Sequence, residues 1–172
     1  MIRGMIGTPR GRTSTTIEVA YHEAGHVVVG HRLGLELVEV DLLADREGGH
    51  GHTNFKQPAW FQRDGRLDAR GREFAEAVVV TFLAGTLAEA RSAGFQNPDA
   101  GGFDLDAVIR EWLLLLVAPA DLEQRLKALE ARAAEKVDDP ANWAAIERLA
   151  AALHRQRRLT AREALAAAGL AE

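Results

Sequence analysis

Two histidines and a glutamate in the string His22-Glu23-Ala24-Gly25-His26 carry the chemistry that this chain can do. The string has the form H-E-x-x-H and lies in a stretch that reads as helix. Residues four apart project from one face, so both imidazoles can grip one metal ion. Zinc held by two histidines and one further ligand keeps a position open, and such a centre is hydrolytic. Glu23 then stands beside the open position as a general base. A surface helix that happens to carry these three residues is the plain alternative. Two features weigh against it. Ile17, Val19, Ala20, Ala24, Val27, Val28 and Val29 frame the string, and Gly25 stands between the histidines, where a bulky side chain could block access to a metal.

The third ligand must come from another segment. The extension H-E-x-x-H-x-x-G-x-x-H is absent, because position 29 is Val29 and position 32 is Arg32. His31 lies five residues beyond His26, on the wrong face for the same ion, and reads as an ordinary partly buried or surface histidine. A carboxylate from a distant helix is expected. Mixed nitrogen and oxygen ligands suit zinc and also accept manganese, cobalt or iron.

Composition narrows the setting. The chain has 172 residues and no cysteine, so thiolate ligands, disulfides and a cysteine nucleophile are all excluded. Its net charge of −4 argues against a nucleic-acid partner, which needs a basic face. The longest aliphatic block, Trp112 to Ala118, falls far short of the ~20 residues that span a bilayer. With no apolar stretch after Arg3, Arg10 and Arg12 to make a secretory signal, a cytoplasmic protein without a transmembrane segment is expected.

These residues need a frame to hold them. Residues 1–14 read as a flexible N-terminal segment and 15–172 as one domain. Thr15-Thr16-Ile17-Glu18 forms a capping box that opens a helix running to about Leu33, with Gly34 as its stop. From Glu36 to Leu43, Val38, Val40 and Leu42 alternate with Glu39 and Asp41, which is strand periodicity. A glycine-rich turn at 47–51 leads to a short second strand, His52 to Phe55, closed by Pro58. Helices are expected over Leu67 to Arg91, where Gly85 permits close approach of another helix, and over about Leu105 to Val117. Two more follow, one from Pro119 to about Val137 and one opened by Pro140. Thr160-Ala161-Arg162-Glu163 is a second capping box that starts a short last helix. The fold class is therefore mainly α (α+β): a helical domain with one small antiparallel sheet or hairpin. Trp112, Leu113, Leu116, Trp143 and Leu149 read as core or subunit contact, and Arg155, Arg157 and Arg158 as a solvated face or a helix end.

Three blocks resemble the peptidase domain of the FtsH-type membrane-associated AAA+ proteases. Ala20-Tyr21-His22-Glu23-Ala24-Gly25-His26-Val27-Val28-Val29-Gly30 is close to that family's motif helix. Leu83-Ala84-Gly85-Thr86-Leu87-Ala88-Glu89 is similar to its G-G-R-x-A-E-E helix, and Gly101-Gly102-Phe103-Asp104-Leu105-Asp106 to its segment ending N-D-L-E. The resemblance runs from about Thr15 to Leu116 and implies a zincin-like metallopeptidase domain. It implies Asp104 as third zinc ligand, beside His22 and His26, and Glu89 as partner of a ligating histidine. Gly51-His52-Thr53 looks like the family's G-Y-T segment, an edge strand on which a polypeptide substrate pairs. Phe103 stands where the family has Asn, and Ala84 where it has the first Gly. No G-x-x-x-x-G-K-[ST] string occurs, and the family's membrane anchors are missing.

The resemblance thus implies a Zn2+-dependent peptidase acting without ATP on unfolded or loop-presented chains, with Glu23 as the catalytic base. The other class of function is a non-catalytic binding or regulatory module that keeps the fold and the metal. It would pair with a separate protein or close into a ring of its own copies. The intact Glu23 favours the enzyme. Asp104 or Asp106 could equally cap a helix, and Asp99, Asp104 and Asp106 together could take calcium. His50 and His52 share a strand face and could hold a second metal, although a solvated glycine-rich hairpin explains them more simply.

Overall fold

The computed structural model describes residues 15–42, 51–63, 67–94 and 102–170, with side chains from residue 109 onward in the last stretch. Residues 1–14 and the turn residues 47–50, including His50, lie outside the described residues, as does Asp99. Helix α1 spans Thr16–Arg32 and is followed by strands β1 (Leu37–Asp41) and β2 (His52–Phe55). Helices α2 (Ala69–Ala93), α3 (Gly102–Leu116), α4 (Leu122–Asp138) and α5 (Pro140–Gln156) come next. Strand β3 (Arg158–Thr160) and helix α6 (Ala161–Ala168) complete the order. The protein is mainly helical with one small antiparallel sheet.

Helix α1 is the central element. Its capping box is formed: the Thr15 backbone N–H donates to Glu18 at 2.6 Å, and Glu18 N–H donates to Thr15 Oγ1 at 3.4 Å. From Glu23 to Gly30 every residue is buried, because α2, α5 and the sheet all pack on this helix. A helix apolar on all sides belongs in a core, and this one carries its polar motif there. Gly34 adopts φ +81°, the left-handed conformation that ends the helix.

The crossing of α1 and α2 is close because both helices are small at the contact. A Cβ on Gly25 would stand 2.7 Å from the Ala84 carbonyl oxygen and 2.8 Å from Ala88 Cβ. Gly25 is therefore explained by helix packing against α2 and not by access to a metal. Gly25→Ala gains helix propensity, but the two helices must part to admit the methyl. We expect a net loss of about 1–3 kcal/mol of stability, read as a lower urea midpoint with unchanged slope. An unchanged midpoint would show that the crossing yields freely.

The sheet has the order β2-β1-β3, so the hairpin gains a third strand. β3 pairs antiparallel with β1, Val40 facing Leu159. This strand was not expected: Arg158 and Thr160 are exposed and only Leu159 is buried, too short a pattern to read against two flanking helices. Arg158 lies in it, and its guanidinium pairs with Glu39 at 2.5 Å. Strand β1 also departs from simple alternation. Its register with β2 shifts between Leu37 and Glu39, which turns Leu37 inward and leaves Val38 half exposed.

Asp68 caps α2 by accepting from Gly71 N–H at 2.7 Å, and Asp139 caps α5 with Pro140 in its first turn. The helix expected from Pro119 opens as a 3-10 turn, Pro119–Asp121, before α4. Trp112, Leu113, Leu116 and Leu149 are core, and Trp143 is partly buried and stacks on Tyr21 of α1. Among the described residues no helix is long and apolar enough to cross a membrane.

Candidate metal centre

Helical spacing puts His22 and His26 on one face of α1, with ring centroids 4.6 Å apart and planes nearly perpendicular. One ligand atom from each of His22, Glu23 and His26 lies within 4.8 Å of the others, and this is the only such group among the described residues. What each ring does is fixed from the facing helix. His26 Nδ1 donates to the backbone carbonyl of Thr81 at 2.8 Å. A carbonyl oxygen can only accept, so the proton sits on Nδ1 and Nε2 keeps its lone pair. His22 Nδ1 lies 2.9 Å from Glu89 Oε2, which favours the same tautomer. Both rings are thus prepared to bind a cation through Nε2, with their other nitrogens committed to a carboxylate and a carbonyl. The donor set and its tautomers fit zinc.

Helix α2 makes room for this arrangement. A Cβ on Gly85 would fall on the His26 ring, 2.7 Å from Nδ1 and closer to Nε2 and Cε1. Phe82 of the same helix packs T-shaped against His26, with ring centroids 5.9 Å apart. Gly85 therefore serves the helix crossing, where a Cβ on Gly25 would lie 3.1 Å from its Cα, and the histidine as well.

Burial sets the electrostatics. His26 is 7% exposed, and its pKa is pushed down from 6.5 to about 3, first by burial and then by His22, against the Thr81 hydrogen bond. The ring is neutral at any physiological pH, the form that binds metal. Glu23 is 5% exposed, and burial raises its carboxyl above the usual range. His22, the Thr53 hydrogen bond and His52 hold it down in part, while Asp41 adds to the rise.

The His26 shift has a consequence for the metal-free chain. Its folded pKa is depressed, so the unfolded chain takes up this proton first as the pH falls. Stability is intact above pH 6.5 and is lost towards pH 3, by up to about 1.4 kcal/mol per pH unit from this group. Glu23 works in the opposite sense. We expect the urea midpoint of the metal-free chain to drop between pH 7 and 5, and His26→Gln to flatten that drop. An equally steep drop in the variant would rule His26 out as its source.

Strand β2 lies against the same helix. Gly51, Thr53 and Phe55 alternate onto α1: Gly51 abuts the Glu23 side chain, Thr53 Oγ1 donates to Glu23 Oε2 at 2.6 Å, and Phe55 packs on Gly30. His52 and Asn54 point to the exposed side. The sequence pointed to Gly51, His52 and Thr53 as a substrate strand, and Gly51 and Thr53 also touch Glu23. Among the described residues β2 is a sheet edge, paired with β1 alone.

No family model matches this chain, and no curated protein matches it.

Asp104 falls in the first turn of α3, and its side chain lies outside the described residues, as does that of Asp106. α3 packs on α2, the helix that carries Glu89 and Gly85. His31 is partly buried and outside the cluster. The Thr81 carbonyl was not foreseen as a partner of His26, because a backbone acceptor on another helix leaves no mark on side-chain identity. The clash that reserves Gly85 for the imidazole had a signal in the sequence: a glycine in a helix interior, where it is costly.

Proposed function

We propose that this chain is a zinc-dependent metallopeptidase that hydrolyses peptide bonds in unfolded or loop-presented polypeptides. One observation carries the reading: two imidazoles with Nδ1 engaged and Nε2 available, beside a buried glutamate whose carboxyl is shifted upward. His22 and His26 would hold the ion, with Asp104 as third ligand by its resemblance to the FtsH-type peptidases. Bound there, zinc supplies Lewis-acid polarisation of a carbonyl and acidifies water.

The chain's own groups divide the remaining work. Glu23 takes a proton from the attacking water and later gives it to the leaving amine, so that the C–N bond breaks with charge balanced. A raised pKa brings it nearer to neutrality, where an acid–base group works best. Glu89 and the Thr81 carbonyl hold the two rings in orientation. The outer edge of β2 offers main-chain groups to an extended substrate. These 172 residues hold no G-x-x-x-x-G-K-[ST] string, which supports unfolded or loop-presented polypeptides as the substrate class.

The test is incubation of the zinc-loaded chain with a labelled, permanently unfolded polypeptide. Cleavage that stops on chelation and resumes with added zinc is expected. No cleavage by zinc-, cobalt- or manganese-loaded protein would overturn the reading.

A further inference from the structure

We infer that Thr53 and Gly51 of the β2 segment are positioning residues for Glu23, so that the sheet aims the base which the helix supplies. Glutamate is a straight-chain residue with freedom about each side-chain bond. A helix that fixes only its Cα leaves the carboxylate free to swing. Here two features remove that freedom. Thr53 Oγ1 donates to Oε2 at 2.6 Å, the short distance of a hydrogen bond to an ionised acceptor. Threonine is β-branched, so its hydroxyl is itself held stiffly on the strand. Gly51 abuts the rest of the side chain: a Cβ there would stand 2.6 Å from Glu23 Cδ and nearer still to Cγ and Oε1. Residues 51 and 53 project to one face of an extended segment, so hydroxyl and glycine act as a pair. Phe55, next on that face, anchors the strand at Gly30, where a Cβ would lie 2.5 Å from its Cζ.

Glu23 is buried, and Thr53 is the side-chain hydrogen-bond donor that reaches it. The threonine thus acts through the glutamate rather than on substrate. Gly51 is not in the left-handed region, so alanine is free of backbone strain there. Gly51→Ala would act by displacing the Glu23 side chain.

The rate effect rests on the peptidase reading; the placement of the carboxylate does not. The experiment therefore has two readouts on the parent, Thr53→Val, Thr53→Ser and Gly51→Ala, all zinc-loaded. Crystal structures should show Glu23 in its present rotamer in the parent and Thr53→Ser, and displaced in Thr53→Val and Gly51→Ala. Cleavage of the unfolded polypeptide should fall about 10–100-fold in kcat for Thr53→Val and Gly51→Ala, with KM nearly unchanged and Thr53→Ser close to parent. Zinc affinity should hold throughout. If the parent cleaves nothing, the peptidase reading falls, and the position of Glu23 in the variants still decides this inference. It is overturned if Glu23 stays in place in Thr53→Val, or if the loss is in KM alone, which would make Thr53 a substrate contact. Thr53→Ser losing as much as Thr53→Val would also overturn it. Should Thr53→Val fail to fold, Gly51→Ala and Thr53→Ser carry the same comparison.

Discussion

Glu23→Gln should reduce cleavage of an unfolded polypeptide by about 10²–10⁴-fold while zinc remains bound. The amide matches the carboxylate in size and can still accept the Thr53 hydroxyl through its oxygen, so the side chain keeps its place beside Gly51. What it loses is the ability to take a proton. His22 and His26 keep their partners on α2, Glu89 and the Thr81 carbonyl, so metal affinity should change little. Activity that survives the substitution would remove Glu23 from its role as base. Loss of activity together with loss of zinc would make it a ligand instead.

The second large effect is expected from a residue that touches no substrate. Gly85→Ala places a methyl on the His26 imidazole. The ring has nowhere to retreat: its Nδ1 is tied to Thr81 O at 2.8 Å, and Phe82 stands against it. Either the hydrogen bond breaks or Nε2 turns away from the point it shares with His22. Removal of a partner that orients a ligating histidine costs metal sites about 10–100-fold in affinity, and displacing the ligand itself should exceed that. We therefore expect zinc affinity to fall more than about 100-fold in Gly85→Ala, and by about 10–100-fold in Glu89→Gln. Alanine improves local helix propensity, so lost affinity in a chain that still folds would locate the effect at the ring. Unchanged affinity in Gly85→Ala would mean that His26 does not hold the metal.

The features legible in the sequence are those written within a few residues. Thr15 with Glu18 and Thr160 with Glu163 announce their helices because a capping box is complete within one turn. Pro140 marks the start of α5 for the same local reason. H-E-x-x-H is legible because helix geometry alone brings its three side chains together. Features that depend on pairing across the chain were not legible. β3 exists because Val40 has Leu159 to face, more than a hundred positions away. Val38 escapes the alternation around it through a register shift that only the partner strand defines. Gly25 looked like an access point to a metal until α2 was seen against it. The hydrogen bond from the Thr53 hydroxyl to Glu23 was not legible either, because it joins a strand to a helix thirty positions away. The resemblance to FtsH-type peptidases offered Glu89 beside a histidine, and the structure has it bonded to His22. Asp104, which the same resemblance offers as third ligand, stands in the first turn of α3.

His22 and His26 are proposed to present Nε2 to one zinc ion. The most direct measurement is zinc binding by calorimetry, joined to X-ray absorption of the loaded protein. One ion per chain is predicted, with two imidazole nitrogens at about 2.0–2.1 Å and the remaining ligands oxygen. His22→Ala and His26→Ala should each abolish that signature. A chain that takes up no zinc at micromolar concentration, or binds it equally well without either histidine, would contradict the account.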